Sequence, residues 1–231
     1  MKRYLIFILM LFFSITAQAV SSYTASYELH AKTDLGNLKF GSAKYELIVA
    51  NNAYVFSSVA TTDVLWKAIY DYSRNEISIG IIEDNKLIGS YYKIAENQGN
   101  LVTNYEINIY PDESYASLNN ETRWKIDSGE IVDELSIYLK ISEDIQKFPD
   151  KKVFIYHAVG KEGIREQKFT IDGNEKISIR DKEFETIRII CPDLRLIFNV
   201  SKDHNFMPVL INKTNGKNQY RLTLVEFKKQ S

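Results

Sequence analysis

Apolar and polar residues alternate along most of this chain. Tyr23, Ala25, Tyr27, Leu29 and Ala31 interleave with Thr24, Ser26, Glu28 and His30. The same period of two returns at Ile77, Ile79 and Ile81, at Tyr105, Ile107 and Ile109, and at Leu194, Leu196, Phe198 and Val200. Successive strand residues point to opposite faces, so each stretch predicts a strand half-buried through its apolar row. Turn signals stand between the strands. Asn215-Gly216 separates residues 209–211 from 220–224, and Asp172-Gly173-Asn174 separates 168–171 from 176–179. Both supply the positive φ of a tight hairpin. Glu83-Asp84-Asn85-Lys86 and Gln98-Gly99-Asn100 predict two more connections. Strands joined in succession by short turns form an antiparallel meander.

One segment changes period. Ile131, Leu135, Tyr138, Leu139 and Ile145 recur at helical spacing, and Phe148-Pro149 follows as a stop. This predicts a short amphipathic helix over about residues 131–146, packed over an open edge or end of the sheet. No Gly/Ser/Pro-rich linker follows Pro149, and both flanks are the same β-rich kind of sequence, so residues 20–231 read as a single domain. The expected architecture is mainly β: one large curved antiparallel sheet, or an open or half barrel, with one short helix near the middle of the chain. The 15 tyrosines and 12 phenylalanines agree with it, because aromatic side chains pack well on a pleated surface.

The first nineteen residues have a different pattern. Met1-Lys2-Arg3 is basic, residues 5–15 are almost wholly apolar, and Ala17-Gln18-Ala19 has the small residues of a cleavage site. This is the layout of a secretory signal peptide, and it predicts a periplasmic protein, or alternatively a secreted one. No cysteine lies near the cleavage point to take a lipid. Cleavage after Ala19 leaves 212 of the 231 residues and, with Lys2 and Arg3 removed, takes the formal charge from −1 to −3. Later apolar runs such as 77–82 and 187–191 are strand-sized, so no transmembrane segment is expected in the mature chain. A lightly acidic chain without a basic block has no electrostatic footprint for nucleic acid. Cys191 is the only cysteine, which rules out an intramolecular disulfide; it reads as a small apolar residue ending the strand 187–190.

Catalytic patterns are missing from the sequence. His30, His157 and His204 are far apart, with no neighbour at ligand spacing, and no metal or other cofactor is expected. Gly41-Ser42, Gly89-Ser90 and Ser128-Gly129 lack the rest of a Gly-x-Ser-x-Gly elbow. Glu83-Asp84 and Asp112-Glu113 stand beside turn residues as solubilising charges. The chemical excess is aromatic. Trp66, Tyr70, Tyr72, Tyr91, Tyr105 and Trp124 are the candidate ligand-binding residues, since a curved sheet can present such side chains on its concave face as an apolar lining with hydroxyl rims.

Several short motifs resemble an exported bacterial family catalogued as domain of unknown function 3108. They are Asp133-Glu134-Leu135-Ser136 opening the helix, Phe169-Thr170-Ile171-Asp172-Gly173, and the ending Val200-Ser201-Lys202-Asp203, Met207-Pro208-Val209, Gly216 and Leu222-Thr223-Leu224. Residues 23–29, Gly41, Tyr45 and Tyr72-Ser73 extend the likeness into the first half. One position departs: where that family often has an aromatic before its Ser-x-Asp turn, this chain has Asn199. The resemblance implies an exported, mostly antiparallel β-protein without an established activity, similar in form to the half-barrels that shield lipid chains in periplasmic carriers. The expected function is thus a non-enzymatic binding or chaperone-like module of the cell envelope that shelters an apolar or lipidic ligand. The alternatives are an envelope interaction protein pairing through a sheet edge and, third, a hydrolase of an envelope lipid or polymer.

Overall fold

A computed structural model describes residues 21–33, 36–84, 86–127, 130–215 and 218–230. The segment read as a signal peptide and the glycine of the Asn215-Gly216 turn lie outside these residues. The first half of the chain forms β1 (Tyr23–Thr33), β2 (Gly36–Ala50), β3 (Ala53–Thr62), β4 (Tyr72–Glu83), β5 (Lys86–Gln98), β6 (Leu101–Tyr110), β7 (Tyr115–Leu118) and β8 (Thr122–Lys125). A short β9 (Ile131–Asp133) precedes the helix α1 (Ile137–Lys147). The second half forms β10 (Val153–Gly160), β11 (Gly163–Ile179), β12 (Lys182–Cys191), β13 (Leu196–Ser201), β14 (Met207–Asn215) and β15 (Asn218–Lys229).

The strands make one sheet, ordered β8-β7-β6-β5-β4-β3-β2-β1-β15-β14-β13-β12-β11-β10-β9. Its centre is the pairing of the first strand with the last, in which Tyr23 faces Lys229 and Lys32 faces Gln219. From there the chain meanders outward in both directions, and the two edge strands, β8 and β9, are consecutive in sequence. Their short connection therefore draws the far edges of the sheet together. The sheet rolls up without closing, as a mainly β, open, curved architecture. Only β9 departs from the antiparallel pattern, running parallel to β10. It reaches across the roll, where Asp133 accepts a 2.6 Å hydrogen bond from Ser78 of β4. Trp124 on β8 covers Gly163 at the turn between β10 and β11, 3.5 Å from where a Cβ would stand.

The helix begins later than its periodicity predicts, and it lies inside the roll rather than over an edge. Asp133 Oδ1 accepts hydrogen bonds from the N–H groups of Leu135 and Ser136 at 2.9 and 2.8 Å, while Ser136 Oγ accepts from the N–H of Asp133 at 3.1 Å. This closed turn ends β9 and delays the first helical residue to Ile137. Leu135 and Leu139 join the core of the first half, with Tyr54, Phe56 and Tyr92. Ile137, Ile141 and Ile145 join Phe154, Phe169 and Phe198 of the second. A helix apolar on opposed faces fits between two walls. Its one deeply buried cation, Lys140, is held by Glu130 at 2.6 Å, Asp144 at 3.3 Å and Glu143 at 3.4 Å.

The hairpin expected at Asp172-Gly173-Asn174 is absent. β11 runs straight through these residues, with a register shift between Ile171 and Gly173 opposite β12. Gly173 has φ of +150°, so the conformational freedom read as a turn is used in a bulge. The chain reverses instead at Arg180, which has φ of +54°.

Candidate functional site

The site begins with β4, whose alternation is inverted relative to its hydrophobicity. Ile77 and Ile79 are only half-buried and Ile81 is exposed, while Glu76, Ser78 and Gly80 are buried. The pairing with β3 sets this face: Arg74 lies opposite Ala60, Glu76 opposite Ser58, Ser78 opposite Phe56, and Gly80 opposite Tyr54. Directly opposed residues share a face, so the inward row of β3 carries the polar row of β4 inward with it. Gly80 leaves the space that the Tyr54 ring fills. A Cβ there would stand 2.5 Å from Tyr54 Cε1 and 2.2 Å from the carbonyl oxygen of Ile88.

Inside the roll this row borders a cavity of about 320 Å³ that opens to solvent. The volume lies at the lower end of the range for small-molecule sites and would hold on the order of ten waters. One stretch of its lining is aromatic: Phe40 meets Tyr70 edge-on at 6.2 Å, Tyr70 and Tyr72 lie nearly parallel at 6.1 Å, and Tyr220 approaches Phe40 at 6.2 Å. Gln98 Nε2 donates to Tyr70 Oη at 2.6 Å and fixes that ring. Leu135 comes from the turn before the helix and Ile137 and Tyr138 from its start, and Leu29, Leu196, Ile211 and Leu222 give an aliphatic wall.

One part of the wall is charged. Arg74 reaches Glu76 at 2.8 Å, Glu96 at 3.3 Å and Glu134 at 3.5 Å, and Tyr92 Oη donates to Glu76 at 2.7 Å. Burial alone would raise the Glu76 carboxyl. The charge and hydrogen bonds of Arg74, with Tyr92, prevail and hold it below the usual carboxylate value. Glu134 goes the other way, because lost hydration and the negative charge of Glu76 outweigh Arg74 and Lys213. Burial pushes the Tyr45 and Tyr70 hydroxyls up to about 12 each. At neutral pH these phenols are therefore neutral hydrogen-bonding groups. The arrangement can bind a molecule with an apolar body and a polar end, and it offers no nucleophile paired with a base.

Of the six aromatic candidates, Tyr70 and Tyr72 line the cavity. Trp66 lies in the loop just before Tyr70 and is half-buried. Tyr91 is half-buried, donating to Glu106 at 3.1 Å. Tyr105 is buried in the core against the Tyr92 ring at 6.1 Å. Trp124 is on the edge strand β8. Phe40, Tyr138 and Tyr220 line the cavity without having been singled out, as do Arg74, Glu96 and Glu134. The one local signal for the charged group was Tyr72, Arg74, Glu76 and Ser78 at alternate positions of a strand, which reads as a solvated face until the opposing strand is known.

The histidines stay apart. His30 lies by Glu28 at 3.4 Å, His157 faces Glu166 across β10 and β11, and His204 stands between the Phe184 and Phe227 rings. A contact of 3.2 Å joins His204 Nδ1 to Ser201 Oγ, but Ser201 has no exposed surface to offer a substrate. Among the described residues, no cluster of three or more His, Cys, Asp or Glu could hold a metal ion. No helix among them is long and apolar enough to cross a membrane.

No family model matches this chain, and no curated protein does. A solved structure does: a beta-barrel-like protein of domain of unknown function DUF1849 from Brucella abortus, with a TM-score of 0.59 at 10% identity. The match covers 92% of this chain and 99% of that one. The two share a fold. The resemblance to domain of unknown function 3108 is not upheld, since no model of that family matches and the structural neighbour carries a different family designation. The motifs behind it are short, and two of them have purely local explanations: Asp133-Glu134-Leu135-Ser136 is the turn that starts the helix, and Asp172-Gly173 is a bulge.

Proposed function

We propose that this protein is an exported, periplasmic binding module that shelters a small amphipathic or lipidic ligand in the cavity of its rolled sheet. The observation that carries this reading is the cavity itself: about 320 Å³, open, bounded by aromatic and aliphatic side chains on most sides and by the Arg74 group on one. Protein interiors are normally packed nearly to crystal density, so an open space of this size at the centre of a fold is a feature to be explained. The export signal read in residues 1–19 supplies the compartment, where sparingly soluble envelope molecules need protection from water.

The test uses the mature protein and a neutral fluorescent probe, N-phenyl-1-naphthylamine, with organic extraction and mass spectrometry of the purified protein alongside. One saturable probe site is expected, lost in Ala60→Phe, whose ring would occupy the cavity from a position on its wall. A protein that copurifies with no extractable molecule and binds the probe no better than Ala60→Phe would sink the proposal. Edge pairing has less support: β8 has only four residues and carries Arg123 and Lys125 in exposed positions, charges of the kind that discourage strand addition.

A further inference from the structure

The segment between β3 and β4 points to a second property. Residues 63–71 form a short coil, with the N–H of Lys67 bonded to the carbonyl of Asp63 at 3.2 Å and that of Tyr70 to the carbonyl of Trp66 at 2.8 Å. The coil raises three large aliphatic side chains into solvent: Val64 is 83% exposed, Leu65 88% and Ile69 77%. The turn between β5 and β6 stands beside it, tied by the N–H of Gly99 to the carbonyl of Asp71 at 2.8 Å, and the first residues of β6 add Leu101 at 64% and Val102 at 73% exposed. These five are the most exposed large apolar residues among those described, and all lie at one end of the roll. The cavity lining reaches this end, because Tyr70 and Gln98 belong both to it and to these segments.

Exposed aliphatic residues concentrated at one end require a partner. We infer that this end docks on a lipid bilayer, inserting Val64, Leu65 and Ile69 among the acyl chains, with the Tyr70 wall of the cavity next to the membrane. Three features favour a bilayer over a protein. The aliphatic tips project from a coil and from the first residues of β6, whereas a protein interface usually presents a closely packed patch. Trp66 and Tyr70, each half-buried, follow just behind the tips; this is the order of side chains found across a membrane interface, with amphipathic rings at headgroup depth. Lys67 lies between Asp63 and Asp71, so the coil carries no excess of positive charge and needs no anionic lipid. The chemistry fits zwitterionic headgroups, with apolar insertion supplying the affinity. This inference does not depend on the cavity holding a ligand.

The chain contains two tryptophans, Trp66 and Trp124, so Trp124→Phe leaves a single reporter on the docking coil. The experiment adds this variant to vesicles of phosphatidylcholine and phosphatidylethanolamine, recording Trp66 emission with and without brominated acyl chains. A blue shift, quenching by the bromines and cosedimentation that persists in about 0.5 M salt are expected. Leu65→Ser/Ile69→Ser on the same background should lower the partition coefficient about tenfold or more while leaving the circular dichroism spectrum unchanged. Both side chains are exposed in the folded protein, so the fold does not rely on them. Emission that stays unshifted at saturating lipid would overturn the inference. So would binding confined to anionic vesicles and abolished by salt, or a dimer that the double substitution dissociates without any change in vesicle binding.

Discussion

Replacing Arg74 by methionine tests the charged wall most directly. The substitution keeps the length of an apolar stem and removes the guanidinium that meets Glu76, Glu96 and Glu134. Glu76 suffers most: its side chain is only 7% exposed, and the Tyr92 hydroxyl at 2.7 Å would be its remaining hydrogen-bond partner. Removing one member of a buried pair costs 3–5 kcal/mol, and the 20% exposure of Arg74 places this case at about 3 kcal/mol. For a protein of this size that lowers the melting temperature by about 6–12 °C. The sign of the pH dependence follows from the same contacts. In the wild type the Glu76 carboxyl titrates below its usual value, so its contribution is complete above about pH 4.5 and is lost as the pH falls through the folded pKa. Without Arg74, burial, the largest influence on this carboxyl, is opposed only by Tyr92 and Lys213 and raises that pKa, so the variant gains relative stability as acid neutralises Glu76. The gap between the two proteins should be widest near pH 7 and should narrow toward about pH 4. Arg74→Met/Glu76→Gln should recover more than half the loss at pH 7. Urea denaturation at the two pH values provides the measurement. A loss below about 1 kcal/mol, a gap that does not change with pH, or strictly additive single and double variants would refute the reasoning.

Three further outcomes follow from contacts elsewhere in the roll. Gly80→Ala should cost about 3 kcal/mol by urea denaturation, and adding Tyr54→Leu should not restore it, because the Ile88 carbonyl at 2.2 Å remains in the way. Ser78→Ala should cost about 2 kcal/mol at neutral pH by removing a hydrogen bond to fully buried Asp133. Burial holds the Asp133 carboxyl above its usual value despite its partners, so its ionisation opposes folding as the pH rises; losing Ser78 should deepen that slope, and the deficit of the variant should be larger at pH 7 than at pH 4. Cys191 is buried and burial pushes its thiol pKa up, so a disulfide reagent such as dithionitrobenzoate should leave the native protein unlabelled and react once urea unfolds it.

Much of the architecture was legible in the sequence because strand formation is largely a local matter. Period-two alternation at Tyr23 to Leu29 and at Tyr105 to Ile109 marks strands whose apolar rows are indeed buried, and Gln98-Gly99-Asn100 marks a real turn with Gly99 at φ of +62°. The helix was legible in kind, though its start was set by the side chain of Asp133. The cavity was legible only in part: Tyr70 and Tyr72 were among the aromatic candidates, whereas Phe40, Tyr138 and Tyr220 are indistinguishable in sequence from any other core aromatic.

What the sequence determined by itself is the class of fold: strand after strand in a meander, one short amphipathic helix midway, a single cysteine and no motif for catalysis. Which face of each strand points inward depended on partners far away in the chain. β4 makes the difference plain, since its isoleucines predict that their own face is the core face, while the opposite face, with Arg74, Glu76 and Ser78, is the one turned inward. Period two fixes that alternate residues share a face, but it cannot say which face is buried. That choice came from the register with β3 and from Asp133 and Glu134, more than fifty residues away, whose carboxylates meet Ser78 and Arg74 inside the roll. Buried polar groups are tolerated only where partners satisfy them, and those partners exist only once the sheet has rolled.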